Sequence, residues 1–268
     1  ITADEVSEEN FDEVFDGTGM VAMPGMTDAH VHMGCLFAKG EFPVDYATVL
    51  TVAKCKDALM AGFTTFRDAG SVSEGLKLAF DEGVLPGPRI YPCGAYISQT
   101  CGHGDSEYAH TYRDIQYRHP SSTVLADGVP EIIWAVREQF YRGASHIKLM
   151  ATEILNRHED IRLLFGTDMM ITGPDYQVEQ SEDIRYYEKR FGTMRALRAL
   201  TGTANEVFAL TTYQNPYPKG KIGVLEAGAF ADLLLVDGDP TKRVSVLADT
   251  DHLRLIMKGG TVYKNTLC

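Results

Sequence analysis

The stretch PGMTDAHVHM, Pro24 to Met33, follows a short apolar run and ends in two histidines. MVAMPG reads as a short strand broken by a Pro-Gly turn. Successive side chains on a strand alternate between faces, so residues two apart share one. The spacing D-x-H-x-H therefore predicts that Asp28, His30 and His32 all point the same way. Two imidazoles converging on one point suit a borderline cation such as zinc. A lone H-x-H also fits a polar strand end with two solvated histidines. The surrounding chain weighs between the two readings.

Downstream, one pattern repeats. TVLTVAKCKDALMAGFTTFRDAG predicts a helix with apolar residues at Val49, Val52, Ala53 and Met60, a stop at Gly62, then a strand. SEGLKLAFDEGVLPGPRIYPCG repeats it, with Ser73 as cap, Gly83 as stop and RIYPCG as strand. DGVPEIIWAVREQFYRGASHIKLMAT repeats it again. Asp127 is the expected N-cap, Pro130 falls in the first turn, and Ile132, Ile133, Val136 and Phe140 form one stripe. Gly143 ends that helix and HIKLMA is the next strand. Regular alternation of this kind predicts parallel βαβ units. Polar groups recur at the predicted strand ends: His30 and His32, Arg67 and Asp68, Lys148. In a (β/α)8 barrel those ends form the catalytic face.

The tail differs. GKIGVLEAGAFADLLLVDGDP and HLRLIMKGGTVYKN read as short strands between Gly and Asp turns, preceded by the helical run TMRALRALTGTANEVFAL. The predicted fold is α/β: a (β/α)8 TIM-type barrel over residues 24–210, with a small β-sandwich domain built from 1–23 and 211–268.

Composition narrows the class. With 44% hydrophobic and 23% charged residues in 268, the chain resembles an ordinary globular protein able to bury a core. A net charge of −12 without a Lys/Arg-rich block argues against nucleic acid or an anionic membrane surface as partner. No apolar run approaches a membrane span. No signal peptide is present, but the chain starts at Ile1 and not at Met, so the N-terminus reads as incomplete and the absence says little; the compartment is left open between a cytoplasmic site, the favoured expectation, and secretion. The 5 cysteines include no C-x-x-C pair, which argues against a disulfide framework.

Taken in order, PGMTDAHVH, GFTTFRDAG, GASHIKLMA, FGTD and GVLEAGAFADLLLVD resemble the metal-dependent amidohydrolase superfamily. SQTCGHGD, Ser98 to Asp105, is similar to the branch of prolidase-like carboxypeptidases and fungal ochratoxin-hydrolysing amidases. The resemblance implies a homo-oligomeric hydrolase cleaving an amide next to a C-terminal amino acid in a small-molecule or dipeptide substrate. It implies two divalent ions, zinc above others. His30 and His32 would ligate the more buried ion, and Lys148, carboxylated to a carbamate, would bridge both. Asp168 of FGTD would be both ligand and general base, and His103 of GHGD would lie near the substrate. Two such ions acidify a shared water and polarise a carbonyl, and a nearby carboxylate can carry a proton to the leaving amine. From the residues alone, Lys148 is also readable as a strand-end lysine paired with a carboxylate, Asp168 as a turn residue after Gly166, and His103 as a loop histidine bonded to its own turn. A deaminase or a cyclic-amide hydrolase fits the same scaffold, since fold does not fix substrate.

One interval departs from the pattern. Roughly 120 residues from His30 to Lys148 hold the three units joining strands one to four, at about 30 residues each. Only about 20 residues separate Lys148 from Asp168, where the family pattern needs four units. Strands five to seven, and the two histidine ligands the resemblance implies on strands five and six, have no room. The chain then joins pieces of a longer protein, or is a deletion product serving assembly rather than catalysis, or uses His146 and His158 in a rebuilt site. The first of these predicts a spatial break between Met150 and Phe165.

Overall fold

The computed structural model describes residues 13–33, 44–70, 74–100, 102, 104–105, 123–150, 162–170 and 176–267. The elements alternate as the repeats predict. Strand β1 (Val21–Pro24) runs through the Gly25 turn into β2 (Met26–His32), followed by α1 (Val44–Met60) and β3 (Phe63–Asp68). Then come α2 (Glu74–Asp81), β4 (Arg89–Tyr91), β5 (Tyr96–Ser98), β6 (Thr123–Leu125), α3 (Val129–Tyr141) and β7 (Leu149–Met150). The second half contains β8 (Met169–Met170), α4 (Tyr176–Phe191), α5 (Thr193–Leu200), α6 (Gly202–Phe208), β9 (Leu233–Val236), β10 (Leu253–Lys258) and β11 (Thr261–Asn265). Gly62, Gly83 and Gly143 follow the first three helices with φ of 89°, 72° and 93°, the left-handed stop that glycine allows at least cost.

Two parallel sheets carry the α/β part, in strand orders β4-β3-β2-β8 and β6-β5-β7. The predicted third strand is split: β4 pairs with β3, while β5, beyond the link 92–95, pairs with β7. Neighbours therefore run β8, β2, β3, β4, then through the link to β5 and β7. The strand after FGTD pairs with β2, the H-x-H strand, and not with β7. Among the described residues no strand joins β7 to β8. The segment predicted to hold the chain break, 151–161, lies outside the described residues.

The two ends of the described chain meet in an antiparallel sheet, β1-β9-β10-β11. Val21 lies opposite Val236 and Pro24 opposite Leu233. Among the described residues this small unit is a single sheet, and a facing second layer of the predicted sandwich is not among them. One apolar core spans both parts. Met26, Phe63, Phe66 and Phe165 are fully buried with Leu234, Leu247 and Ile256. The Arg89 guanidinium and the Asp232 carboxylate, both buried, form an ion pair between β4 and the start of β9, and Asp232 also accepts from Gly259 N at 2.8 Å.

Two helix faces differ from the predicted ones. On α1 the inward residues are Ala47, Thr51, Cys55, Ala58 and Leu59, while Val49 points to solvent. On α3 the buried residues are Ala135 and Gln139, and Ile132, Ile133 and Trp134 are exposed. Gln139 earns its place by hydrogen bonding: its Oε1 accepts from Ala95 N at 2.8 Å in the link that splits the third strand. Asp127 is not the cap of α3. Gly128 holds that position, and Asp127 instead accepts from Thr100 N at 2.8 Å.

Candidate metal centre

Strand β2 does not alternate strictly. Asp28 lies opposite Phe66 and Val31 opposite Asp68, so β2 carries an extra residue against β3. A bulge of this kind turns the side chains beyond it relative to those before it. This corrects the expectation that Asp28, His30 and His32 share a face.

The backbone groups at the bulge all find partners. Ala29 N donates to Phe165 O at 2.8 Å, and Ala29 O accepts from Arg67 Nε at 2.7 Å. His30 N donates to Asp28 Oδ1 at 3.1 Å, an Asx-type bond two residues along the chain. His30 O accepts from Asp168 N at 2.8 Å.

The outcome is a convergence of residues far apart in sequence. His30 Nε2 lies 3.1 Å from Asp168 Oδ1, and His32 Nε2 lies 3.2 Å from the same oxygen. The donor atoms of all three lie within 4.8 Å of one another. Lys148 Nζ is 2.9 Å from His30 Nε2. Four of the predicted site residues thus meet at one place. His103 lies outside the described residues, as do His110, His119 and His158.

The donor set fits a divalent cation. A tetrahedral zinc with bonds of about 2.0–2.1 Å puts its ligands about 3.3 Å apart, close to the two separations at Asp168. Ligation needs neutral imidazole. Burial, then the Lys148 charge, lowers the His30 pKa to about 4, so His30 is neutral at physiological pH. Asp168 is 73% exposed at its side chain, open to a substrate. It has a φ of 54°, rare for a residue with a side chain.

Residues not singled out as functional in the sequence surround this group. Asp28 is fully buried and accepts from Thr167 Oγ1 at 2.8 Å, Thr167 N at 3.3 Å and Gln180 Nε2 at 3.4 Å. Burial outweighs those bonds and pushes its pKa up to about 7. Gly166 approaches so closely that a Cβ there would sit 2.7 Å from the His30 Cβ. The available signals were D-x-H, which allows an Asx turn, and the small residues of FGTD. His146 does not join the donor group. Its Nδ1 is 3.0 Å from Ser145 Oγ, and burial, reinforced by Arg67, lowers its pKa to about 3. With Arg67, Tyr91, Ser145 and Phe208 it lines a cavity of about 240 Å³.

Comparison with known proteins follows the same line. The model of the amidohydrolase family matches residues 21–161. Over 152 residues the chain is 34% identical to ochratoxinase of Aspergillus niger, which covers 49% of this chain and 31% of that protein. The chain thus aligns with less than a third of that curated relative's length. Among solved structures, a prolidase complexed with N-methylphosphonate-L-proline has a TM-score of 0.77 at 22% identity, covering 92% of this chain and 88% of that one. The A. niger ochratoxinase structure has a TM-score of 0.71 at 20% identity, covering 91% and 83%. A Xaa-Pro dipeptidase with bound methionine has 0.72 at 20% identity, covering 97% and 91%. These likenesses give the α/β fold as TIM-barrel-type.

Proposed function

From the premise that this chain belongs to the amidohydrolase family, we propose that it hydrolyses an amide bond next to a C-terminal amino acid at a divalent-metal centre. The substrate class is Xaa-Pro dipeptides, N-acyl amino acids or ochratoxin-like amides, by similarity to the ochratoxinase and prolidase relatives. The observation that carries the reading is the meeting of His30, His32 and Asp168 within 4.8 Å, from β2 and from the residue just before β8, which are neighbours in the sheet though far apart in the chain.

In this reading His30, His32 and Asp168 would hold the ion. A divalent cation bound there would supply Lewis acidity toward the scissile carbonyl and a water. Asp168, the exposed member, takes the proton from the attacking water and returns it to the leaving amine. Lys148 lies at hydrogen-bond distance from His30. The finer form of the proposal has zinc as the metal, two ions, and a carbamate on Lys148 bridging them. It also includes a barrel lacking strands five to seven, a β-sandwich of the termini with domain limits near residues 23 and 210, and a homo-oligomer. Exposed Ile133 and Trp134 on α3 are consistent with assembly.

A second reading, a non-catalytic relative or deletion product acting in assembly, is favoured by one observation. About 20 residues join Lys148 to Asp168, too few for four βα units of about 30 residues. The test is hydrolysis of Xaa-Pro dipeptides, N-acyl amino acids and ochratoxin A by metal-depleted and zinc-restored protein. Activity that disappears on depletion and returns with zinc supports the first reading. Zinc binding without turnover of any of the three favours the second.

A further inference from the structure

We infer that Asp28 is the positioning residue of this centre: its buried carboxylate ties the His30–His32 strand to the Asp168 segment and to helix α4. This rests on the metal centre proposed above and deepens it.

Four donors from three residues, on strand β2, on the segment before β8 and on helix α4, close on the one carboxylate. His30 N comes from β2, on the residue that carries the first imidazole. Thr167 gives both N–H and Oγ1–H, and it immediately precedes Asp168. Gln180 gives Nε2–H from α4, and it is buried. The bulge explains why Asp28 can do this. With strict alternation its carboxylate would share the face of His30 and His32 and compete with them as a ligand. The extra residue in β2 separates Asp28 from that face, and the Asx bond to His30 N stabilises the bulge. A second tie, Asp168 N to His30 O at 2.8 Å, joins the same two segments two residues further along β2 and one residue beyond Thr167. Asp168 keeps its left-handed φ of 54° because Thr167 before it and His30 beside it are both held. Outer groups that orient metal ligands act in this way, and losing one costs about tenfold to a hundredfold in metal affinity.

The test compares full-length wild type, Asp28→Asn and Thr167→Val in three measurements. Crystal structures of the metal-free proteins read the inference directly. In Asp28→Asn the Asp168 carboxylate should move more than an ångström from the two imidazoles, which lie at 3.1 and 3.2 Å in the wild type. Zinc calorimetry should show about a tenfold to hundredfold loss of affinity for Asp28→Asn and a smaller loss for Thr167→Val. Cobalt(II) absorption should shift in both variants, a change that lost fold stability alone does not produce in protein that stays folded. Unchanged separations in a folded Asp28→Asn, or unchanged zinc affinity and cobalt spectrum, would overturn the inference. If Asp28→Asn does not fold, Thr167→Val decides by the same readouts. A wild type that takes up neither zinc nor cobalt defeats the proposed function instead, and the metal-free structures still decide on Asp28.

Discussion

Asp168 combines an exposed carboxylate with a strained backbone, φ 54°, held by the hydrogen bond that its amide N–H donates to the His30 carbonyl. Asparagine tolerates that conformation and has the same shape. Asp168→Asn should therefore keep the circular dichroism spectrum and melting midpoint of the wild type. Its hydrolytic rate should fall about 10²- to 10⁴-fold, the usual contribution of a general base. A near-normal rate would place the base elsewhere. At the far end of the sheets, Lys258 is buried and donates to Gly87 O. Burial, with the Arg89 charge, lowers its pKa to about 8 from 10.5. Between those values the unfolded chain binds more protons than the folded one, so stability rises with pH across that window. The gain is fully present above about pH 10.5 and lost as pH falls through about 8. Denaturant melts at pH 8 and 10.5 should differ by on the order of 2–3 kcal/mol more in the wild type than in Lys258→Met. Equal differences would show that Lys258 titrates normally when folded. At this scale the sequence revealed ligand types but not their partners. D-x-H-x-H announced two imidazoles, whereas the bulge that separates Asp28 from them depends on Thr167 and Gln180, over a hundred positions away.

Between elements, close approach matters more than residue type. The segment 162–168 lies against β2 because Gly166 has no side chain. Gly166→Ala would put a Cβ 2.7 Å from the His30 Cβ and 3.2 Å from its amide nitrogen. That overpacking should cost about 1–3 kcal/mol in stability and weaken zinc binding together with it. An unaltered zinc isotherm would mean the segment yields without moving His30. The Arg89–Asp232 pair joins the parallel sheet to the antiparallel one from buried positions. Asp232→Ala should cost about 3–5 kcal/mol by leaving a buried cation unpaired, and a double change to apolar residues should recover much of it. If the single and double variants are equally unstable, the pair is only packing. Helix and strand order was legible because Gly62, Gly83 and Gly143 punctuate it. Helix faces were not. The apolar stripe on α3 predicted a buried Ile132 and Ile133, but the inward face is set by Gln139 reaching the link at Ala95. A buried polar group that meets its partner carries no signal in hydrophobic periodicity.

For the whole molecule, β8 pairs with β2 although the chain reaches it soon after β7. Pairing of the last barrel strand with the first is how a barrel closes, whereas the order of motifs along the chain placed FGTD in the site without naming the strand beside it. What bridges β7 to β8 was not readable, since the interval is too short for the expected units. The antiparallel sheet of the termini was legible from its alternating strands, but its pairing of Val21 with Val236 joins opposite ends of the chain. That contact is beyond any local pattern. The site therefore exists only if these distant strands meet as described, and metal uptake reports on that directly. Metal-depleted protein titrated with zinc in a calorimeter, alongside His30→Ala and Asp168→Ala, is the measurement that decides. Saturable zinc binding by the wild type is expected, falling at least tenfold in each variant. Zinc binding that is absent from the wild type, or equal in all three proteins, would contradict it.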